Sequence, residues 1–372
     1  MNKKIFIALF ILSLVSPSLL YPVLKDHVDT TNYENRTFAP PPRLTADNFA
    51  NIPGEFEAYY NDHAPFKNFF VKLYTKMETK VFGAASVAPI TVGRENWLFY
   101  TYNVPGEDAL SDYQHLNLYS TEEREELAGV IKRVDEGARK QGIRFFLFEA
   151  PNKESVYGGY MPSKIPVYGD KSRLDVLIPE LQDNHLPVYY LADSLREYAD
   201  AYQLYLKYDT HWNPLGAYIA SQQISRAMGG RDVPLENLEI VSAGTTSGDM
   251  ARMLNMAEEF SDDTEYFIND YLPDIKTESI LRTEDSEYEV FCSNSPNDRT
   301  LLVLGDSFSH GLKPYLSKMY KNSIFVTFHT YTPEVFSQYE VDDFIYLTVE
   351  RNQKYLENIE AILKGEYVEA AE

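Results

Sequence analysis

The sequence has almost no cysteine: Cys292 stands alone among 372 residues. That excludes an intramolecular disulfide framework and any cysteine-based zinc site. Basic residues are outnumbered, 34 Lys+Arg against 56 Asp+Glu, which leaves a formal charge of −22. Nucleic-acid binding needs clustered Lys and Arg against phosphates, so no nucleic-acid partner is expected. The acid excess otherwise favours solubility and names no substrate. Several chemical signatures are also missing. There is no P-loop, no GxGxxG, no GxSxG elbow and no HExxH, which disfavours NTPase, dinucleotide-binding, ordinary α/β-hydrolase and zinc-protease readings. No cofactor and no metal are therefore expected. Internal repeats and long low-complexity tracts are absent.

What the chain does have is aromatic: 29 Tyr and 21 Phe join the two Trp, 14% in all. Core and strand filling accounts for most of these rings. A sharper reading is a set of sugar-facing platforms in a polysaccharide-handling protein. At roughly 150 residues per domain the length suggests two units, although α/β folds of this size can be single domains. A chain this long can bury a large core without covalent staples.

Residues 1–22 read as an address. Lys3 and Lys4 form a basic start, and Ile5 to Tyr21 carries no charge, as in a secretion signal. The apolar run is at the short edge of what spans a bilayer. Pro17 interrupts it, and no clear Ala-x-Ala cleavage site follows. Two readings stay open: an uncleaved membrane anchor, which the missing cleavage site favours, and a cleaved signal peptide. Both put the rest of the chain outside the cytoplasm, where a bacterial surface protein can do without disulfides.

Residues 23–90 read as linker and helical lead-in, and 91–372 as one α/β domain. Ala39-Pro40-Pro41-Pro42-Arg43 is a stiff spacer. Over 54–82, Phe56, Tyr59, Tyr60, Phe66, Phe69, Phe70, Leu73, Met77 and Val81 recur at helical intervals, broken near Pro65. Residues 90–100 suggest a hairpin around Gly93-Arg94-Glu95-Asn96. Ser120 to Glu123 is a capping box opening a helix that runs to about Lys140. Ile143 to Phe148 is a nearly continuous apolar run, the mark of a strand buried on both faces. A helix over 172–184, a strand over 188–191 and a helix capped by Asp193 follow. Asn213-Pro214 then opens another helix. Strands are expected at 300–304, 324–328 and 344–349. Their alternation with helices predicts a mainly parallel sheet covered on both faces. The acidic stretch 255–300 reads as an insertion or loop.

Two motifs could carry chemistry. Leu301 to Leu304 leads into Gly305-Asp306-Ser307, which puts Ser307 at the carboxyl end of a buried strand, where open α/β sheets bind ligands. Gly305 would let the chain bend, and backbone N–H groups near residue 307 could stabilise an oxyanion. The plainer reading is that Asp306 or Ser307 only caps the next helix. The second motif is Asp209-Thr210-His211-Trp212. A serine hydroxyl needs a base, usually histidine, and the base works best with an acid to orient it. If residues 208–212 are extended, Asp209 and His211 point the same way. The plainer reading is a surface Asp and a packed His. His310, three residues after Ser307, is the rival base. His63, beside Asp62, reads as packing or an ion pair.

Taken together, the motifs resemble the DHHW family and the related alginate O-acetyltransferases, which have SGNH-hydrolase-like domains. The matching pieces are Glu34-Asn35-Arg36, Gly93 to Phe99, Pro151-Asn152-Lys153, Asp209 to Trp212, Ser247-Gly248-Asp249, Gly305 to Phe308 and Glu350-Arg351. Thr210 replaces the second residue of the DHHW motif. The resemblance implies a three-layer SGNH-hydrolase-like fold behind a helical N-terminal segment. It implies a serine nucleophile at Ser307, a base at His211 and an orienting acid at Asp209. Asn152 is a candidate for the oxyanion-hole Asn, and Arg351 for binding an anionic or carbonyl oxygen, unless Arg351 simply pairs with Glu350 or another acid. The activity implied is transfer of an acetyl group, through a serine acyl-enzyme, onto hydroxyls of a cell-surface or secreted polysaccharide. A membrane O-acyltransferase would be the donor partner. The alternatives are a carbohydrate acetyl-esterase with the same triad and a non-catalytic polysaccharide-binding or assembly protein.

Overall fold

The computed structural model describes all residues except 1–2, 34–36, 44–48, 83–84, 88, 105, 270 and 368–372. The Glu34-Asn35-Arg36 piece therefore lies outside the described residues. The chain opens with helix α1 (Lys3–Leu24), which passes through Pro17 and Pro22 instead of breaking there. None of α1 is buried, and it is long and apolar enough to cross a membrane. The 54–82 pattern resolves into two helices, α2 (Ile52–His63) and α3 (Lys67–Phe82). The proline spacer does not stand free of them, because the Ala39 N–H donates to the Asp62 carboxylate at 2.7 Å.

The hairpin at 90–100 is present: Ile90–Val92 pairs antiparallel with Leu98–Tyr100, and a third strand, Ala85–Val87, joins its edge. The larger sheet has seven strands. They are β1 (Arg144–Ala150), β2 (Val188–Tyr190), β3 (Thr277–Arg282), β4 (Tyr288–Ser293), β5 (Thr300–Gly305), β6 (Asn322–Thr327) and β7 (Asp343–Val349), in the order β3-β4-β6-β5-β7-β1-β2. The five strands from β6 to β2 run parallel, while β3 and β4 are antiparallel. The stretch 255–300 is thus partly sheet and not simply loop. It supplies an antiparallel edge, which a polar, alternating sequence tolerates because one face can stay wet.

Helices α4 (Thr121–Lys140), α5 (Arg173–Asp183), α6 (Ala192–Ala199) and α7 (Pro214–Ala227) cover the sheet. Ser120 closes the expected capping box with Glu123, and Asn213 caps α7. Asp193 does not cap α6; it sits inside the first turn, with Leu191 before it. Alternate residues of the strands face two cores. Phe146, Phe148, Val303, Ile345 and Leu347 pack with α6 and α7. Phe145, Leu147, Leu302, Leu304 and Phe344 pack with α4 and α5. Each such side chain contributes about 1.5–3 kcal/mol by leaving water, and the result is a three-layer α/β/α fold.

Candidate active site

The parallel strands β1, β5 and β7 are neighbours, so their carboxyl ends deliver Asn152, Ser307 and Arg351 to one edge of the sheet. Ser307 begins a 3-10 helix, Ser307–Leu312, whose N-cap is Asp306. The serine is exposed, while Asp306, Phe308 and Ser309 are buried around it. Gly305 is needed for closeness more than for bending: a Cβ there would lie 2.8 Å from the Leu347 carbonyl. Asp306 locks the turn, with its carboxylate accepting from Phe308 N–H at 3.0 Å and from Val349 N–H at 2.7 Å. Its carbonyl accepts from Ser309 N–H at 3.0 Å. Two of the amides expected to face an oxyanion are therefore already engaged by Asp306.

The histidine arrives from the opposite side on a tight loop. Trp212 bridges back to Tyr205, and the Asn213 N–H donates to the Leu204 carbonyl at 2.9 Å. Residues 207–211 are a turn and not extended. Asp209 and His211 meet because one Asp209 oxygen accepts both the His211 backbone N–H at 3.1 Å and its Nδ1 at 2.7 Å. The other imidazole nitrogen, Nε2, is 2.8 Å from Ser307 Oγ. The structure thus brings Ser307, His211 and Asp209 into one hydrogen-bonded row, with the imidazole 31% exposed.

Two further residues hold this row, and neither was given a role by sequence reasoning. Asp249 donates its backbone N–H to the second Asp209 oxygen at 2.8 Å. Its carboxylate accepts the Thr210 N–H at 2.8 Å and the Thr210 hydroxyl at 2.6 Å. The departure at Thr210 is thereby explained locally: its hydroxyl braces Asp249 and lies 3.2 Å from His211 Nδ1. Gly248 permits the approach, since a Cβ would lie 2.1 Å from the Tyr208 carbonyl. The hairpin residues Ile90, Val92 and Leu98 pack with Tyr208, Met250 and Leu254 and press the two loops together. Lys153 is buried and points its ammonium at the carbonyls of Leu206 (2.9 Å), Lys207 (3.2 Å) and Asp209 (2.7 Å). Burial pushes its pKa down to about 8.

Electrostatics favour an ionised Asp209 beside a readily protonated His211. Burial alone would lower the His211 pKa, but the Asp209 hydrogen bond and charge, with Asp249 behind them, outweigh it and raise it. Asp209 responds in the opposite sense. Its burial would raise it, and its bonds to His211 and to the Asp249 and His211 amides hold it well below the usual carboxylate range. The Asp209, His211 and Asp249 ligand atoms lie within 4.8 Å of one another. Their lone pairs and N–H groups already serve each other, Thr210 and Ser307, so the donor set does not fit a metal.

Asn152 and Arg351 lie together. The guanidinium reaches the Asn152 side-chain oxygen at 3.5 Å and covers the rings of Tyr100 and Phe308 at 5.2 and 5.4 Å. Its nearest acid is Glu107 at 3.8 Å. Glu350 is turned elsewhere, accepting from the Asn152 N–H and the Ser155 hydroxyl. The Asn152 amide donates to Asp112 at 3.2 Å. His310 has no bond to Ser307; its Nε2 is buried without a hydrogen-bond partner among the described residues, and burial followed by Lys313 and His211 pushes its pKa down to about 4. That makes it a poor base. His63 stacks on Tyr59, as a packing residue would. Phe308 and Trp212, the rings around this row, are buried packing groups and not open platforms.

The three-layer fold with its mainly parallel sheet is that of an SGNH-hydrolase-like domain. Residues 90–330 match the family model described as "SGNH hydrolase-like domain, acetyltransferase AlgX", and the chain belongs to that family. A DHHW family protein from Eubacterium siraeum shares the fold, with 14% identity and a TM-score of 0.55 over 77% of this chain and 98% of that one. PatB1 from Bacillus cereus also shares it, at 14% identity and a TM-score of 0.51 over 73% and 96%. The protein of Pseudomonas aeruginosa described as "Probable alginate O-acetylase AlgJ" is 23% identical over 212 residues, 56% of this chain and 51% of that protein. A Pseudomonas syringae relative of the same description is 24% identical over 221 residues. The chain spans about half the length of these curated relatives.

Proposed function

We propose that this protein is an extracytoplasmic O-acetyltransferase that works through an acetyl-serine. The observation that carries the reading is the unbroken row from Ser307 Oγ to His211 Nε2 (2.8 Å) and from His211 Nδ1 to Asp209 (2.7 Å). His211 takes the hydroxyl proton while Ser307 Oγ attacks the carbonyl carbon of an acetyl ester. The donor's C–O bond breaks, and its oxygen leaves with the proton from His211. A sugar hydroxyl then gives its proton to His211 and attacks the acetyl-serine. The ester passes to the sugar and the proton returns to Ser307. Asp209 keeps the imidazole in the required tautomer and stabilises its charged form. With Phe308 and Ser309 amides engaged, the Ser307 N–H, Asn152 and Arg351 are the groups we assign to the developing oxyanion.

The family and the alginate O-acetylase relatives support acetyl transfer to a polysaccharide. A membrane O-acyltransferase fits as the source of the acetyl group, and α1 as the anchor that keeps the domain at the membrane's outer side. The exposure of Ser307 favours one second reading, an acetyl-esterase in which water replaces the sugar. Purified protein given p-nitrophenyl acetate and an oligosaccharide separates them. We expect an acetylated oligosaccharide from the wild type and none from His211→Ala. Acetate alone would establish the esterase, and equal products from His211→Ala would overturn the shared mechanism.

A further inference from the structure

The helical lead-in presents an apolar stripe that the catalytic domain does not use. On α3, Phe69, Phe70, Leu73, Tyr74 and Met77 are 42–60% exposed. At 100° per residue these five positions fall within less than half of the helix circumference. The back and one flank of the helix are tied down. Thr75 is fully buried, and Lys72 and Lys76 reach Glu259 at 3.1 and 2.6 Å. Asn68 donates to the carbonyls of Asp29 and Thr31, both at 3.1 Å. The stripe therefore faces outward because α3 is fixed from behind. Soluble proteins rarely leave a contiguous aromatic and aliphatic patch uncovered.

The occupant is indicated by what lies beside the patch. Tyr21, in the last turn of α1, packs edge-on against Phe66 just before α3, with ring centres 6.1 Å apart. Asp29, five residues beyond the end of α1, accepts the Tyr33 hydroxyl at 2.8 Å and the Asn255 amide at 3.0 Å. The chain leaving α1 is thus pinned at once to α3 and to the domain, so α3 starts at the level where α1 would emerge from a bilayer. Tyrosine at a helix end and an aromatic stripe edged by lysine are the chemistry of the headgroup boundary.

We propose that α3 lies in the outer membrane–water interface with Phe69, Phe70, Leu73, Tyr74 and Met77 immersed among the lipid acyl chains. This rests on α1 being a retained anchor. The domain would then be held at a set orientation to the bilayer, with α3 as a second point of attachment.

The test uses the full chain, carrying Cys292→Ser, reconstituted in phosphatidylethanolamine–phosphatidylglycerol vesicles. Single cysteines, Phe70→Cys, Met77→Cys, Leu12→Cys and Leu118→Cys, take a nitroxide label. Collision with oxygen, which concentrates in lipid, is compared with collision with a water-soluble nickel chelate. The proposal expects labels at 12, 70 and 77 to favour oxygen several-fold over the label at 118, which is exposed on the catalytic domain. Labels at 70 and 77 that behave like 118, while 12 remains in lipid, overturn the proposal and leave the anchor standing. Labels shielded from both reagents show a protein partner on the stripe and also overturn it. A water-accessible or proteolytically removed position 12 overturns the anchor reading along with it.

Discussion

The two ends of the main sheet bury acidic side chains in opposite ways. At the amino end, Asp343 is fully buried and fully answered. Arg144 meets it at 2.6 and 2.8 Å, Arg299 at 2.5 and 3.0 Å, and the Tyr320 hydroxyl donates at 2.9 Å. At the carboxyl end, Glu149, Glu154 and Glu350 each keep one buried oxygen without a hydrogen-bond partner among the described residues, and Nε of Arg351 donates no hydrogen bond there. The pKa directions follow. Burial would raise Asp343, but its two arginines and Tyr320 bring it below the ordinary value. Glu154 is pushed up to about 7, chiefly by burial. A satisfied acid stabilises a fold; under-satisfied ones mark an edge organised for something other than stability.

Mutations at the two ends should therefore have separable effects. The largest is expected at Asp209. Asp209→Asn should lower kcat/KM for an acetyl ester roughly a thousandfold or more, a loss that persists when the rate is referred to the folded fraction. His211 must be neutral to act as base, so activity falls as pH drops through its raised pKa, and the acid limb of the wild type should lie above the ordinary 6.5. In Asp209→Asn the burial effect dominates and the residual limb should move to lower pH. A pH–rate profile checks both.

Asp343→Ala should do the reverse. It should cost about 2–3 kcal/mol of stability, less than a fully buried pair would because both arginines are partly solvated, with kcat/KM unchanged in the folded fraction. Urea unfolding at two pH values adds the sign. The folded-state pKa of Asp343 is depressed, so its contribution is present above the unfolded carboxylate value and is lost as pH falls through the folded one. Parallel curves for wild type and Asp343→Ala across acid pH would contradict the comparison.

The smallest effect is expected at Glu154. Its folded pKa is raised, so the folded state holds the proton where the unfolded chain has lost it, and stability declines as pH rises from the carboxylate range towards 7. Glu154→Gln should flatten that decline in melting temperature between pH 5 and 8. An equal slope in both proteins would show that the site edge is better satisfied than its hydrogen bonds indicate.

Much of this was legible in sequence because it depended on local pattern. The runs at Arg144–Ala150 and Thr300–Gly305, the capping box at Ser120 and the Asn213-Pro214 start all announce themselves within a few residues. The pairing of Ser307 with His211 was not local. It follows from the resemblance and the order of motifs, and the route by which Asp209 reaches His211 differs from the extended segment the sequence suggests, because one carboxylate closes a turn there. The braces at Asp249 and Lys153 were invisible in role: their partners lie 39 to 56 residues away, and nothing in an SGD or PNK triplet says which carbonyls or amides it will meet. The antiparallel edge at Thr277–Ser293 was hidden by its polarity, since an exposed edge strand lacks the apolar run that betrays a central one.

The central claim is that Ser307 carries the acetyl group. Intact protein should be mixed briefly with an activated acetyl ester, quenched in acid and measured by mass spectrometry with peptide mapping. The account predicts one added acetyl group on the peptide containing Ser307, absent from Ser307→Ala and lost when an acceptor sugar is supplied. An acetyl group that persists in Ser307→Ala, or that maps elsewhere and still turns over, would contradict it.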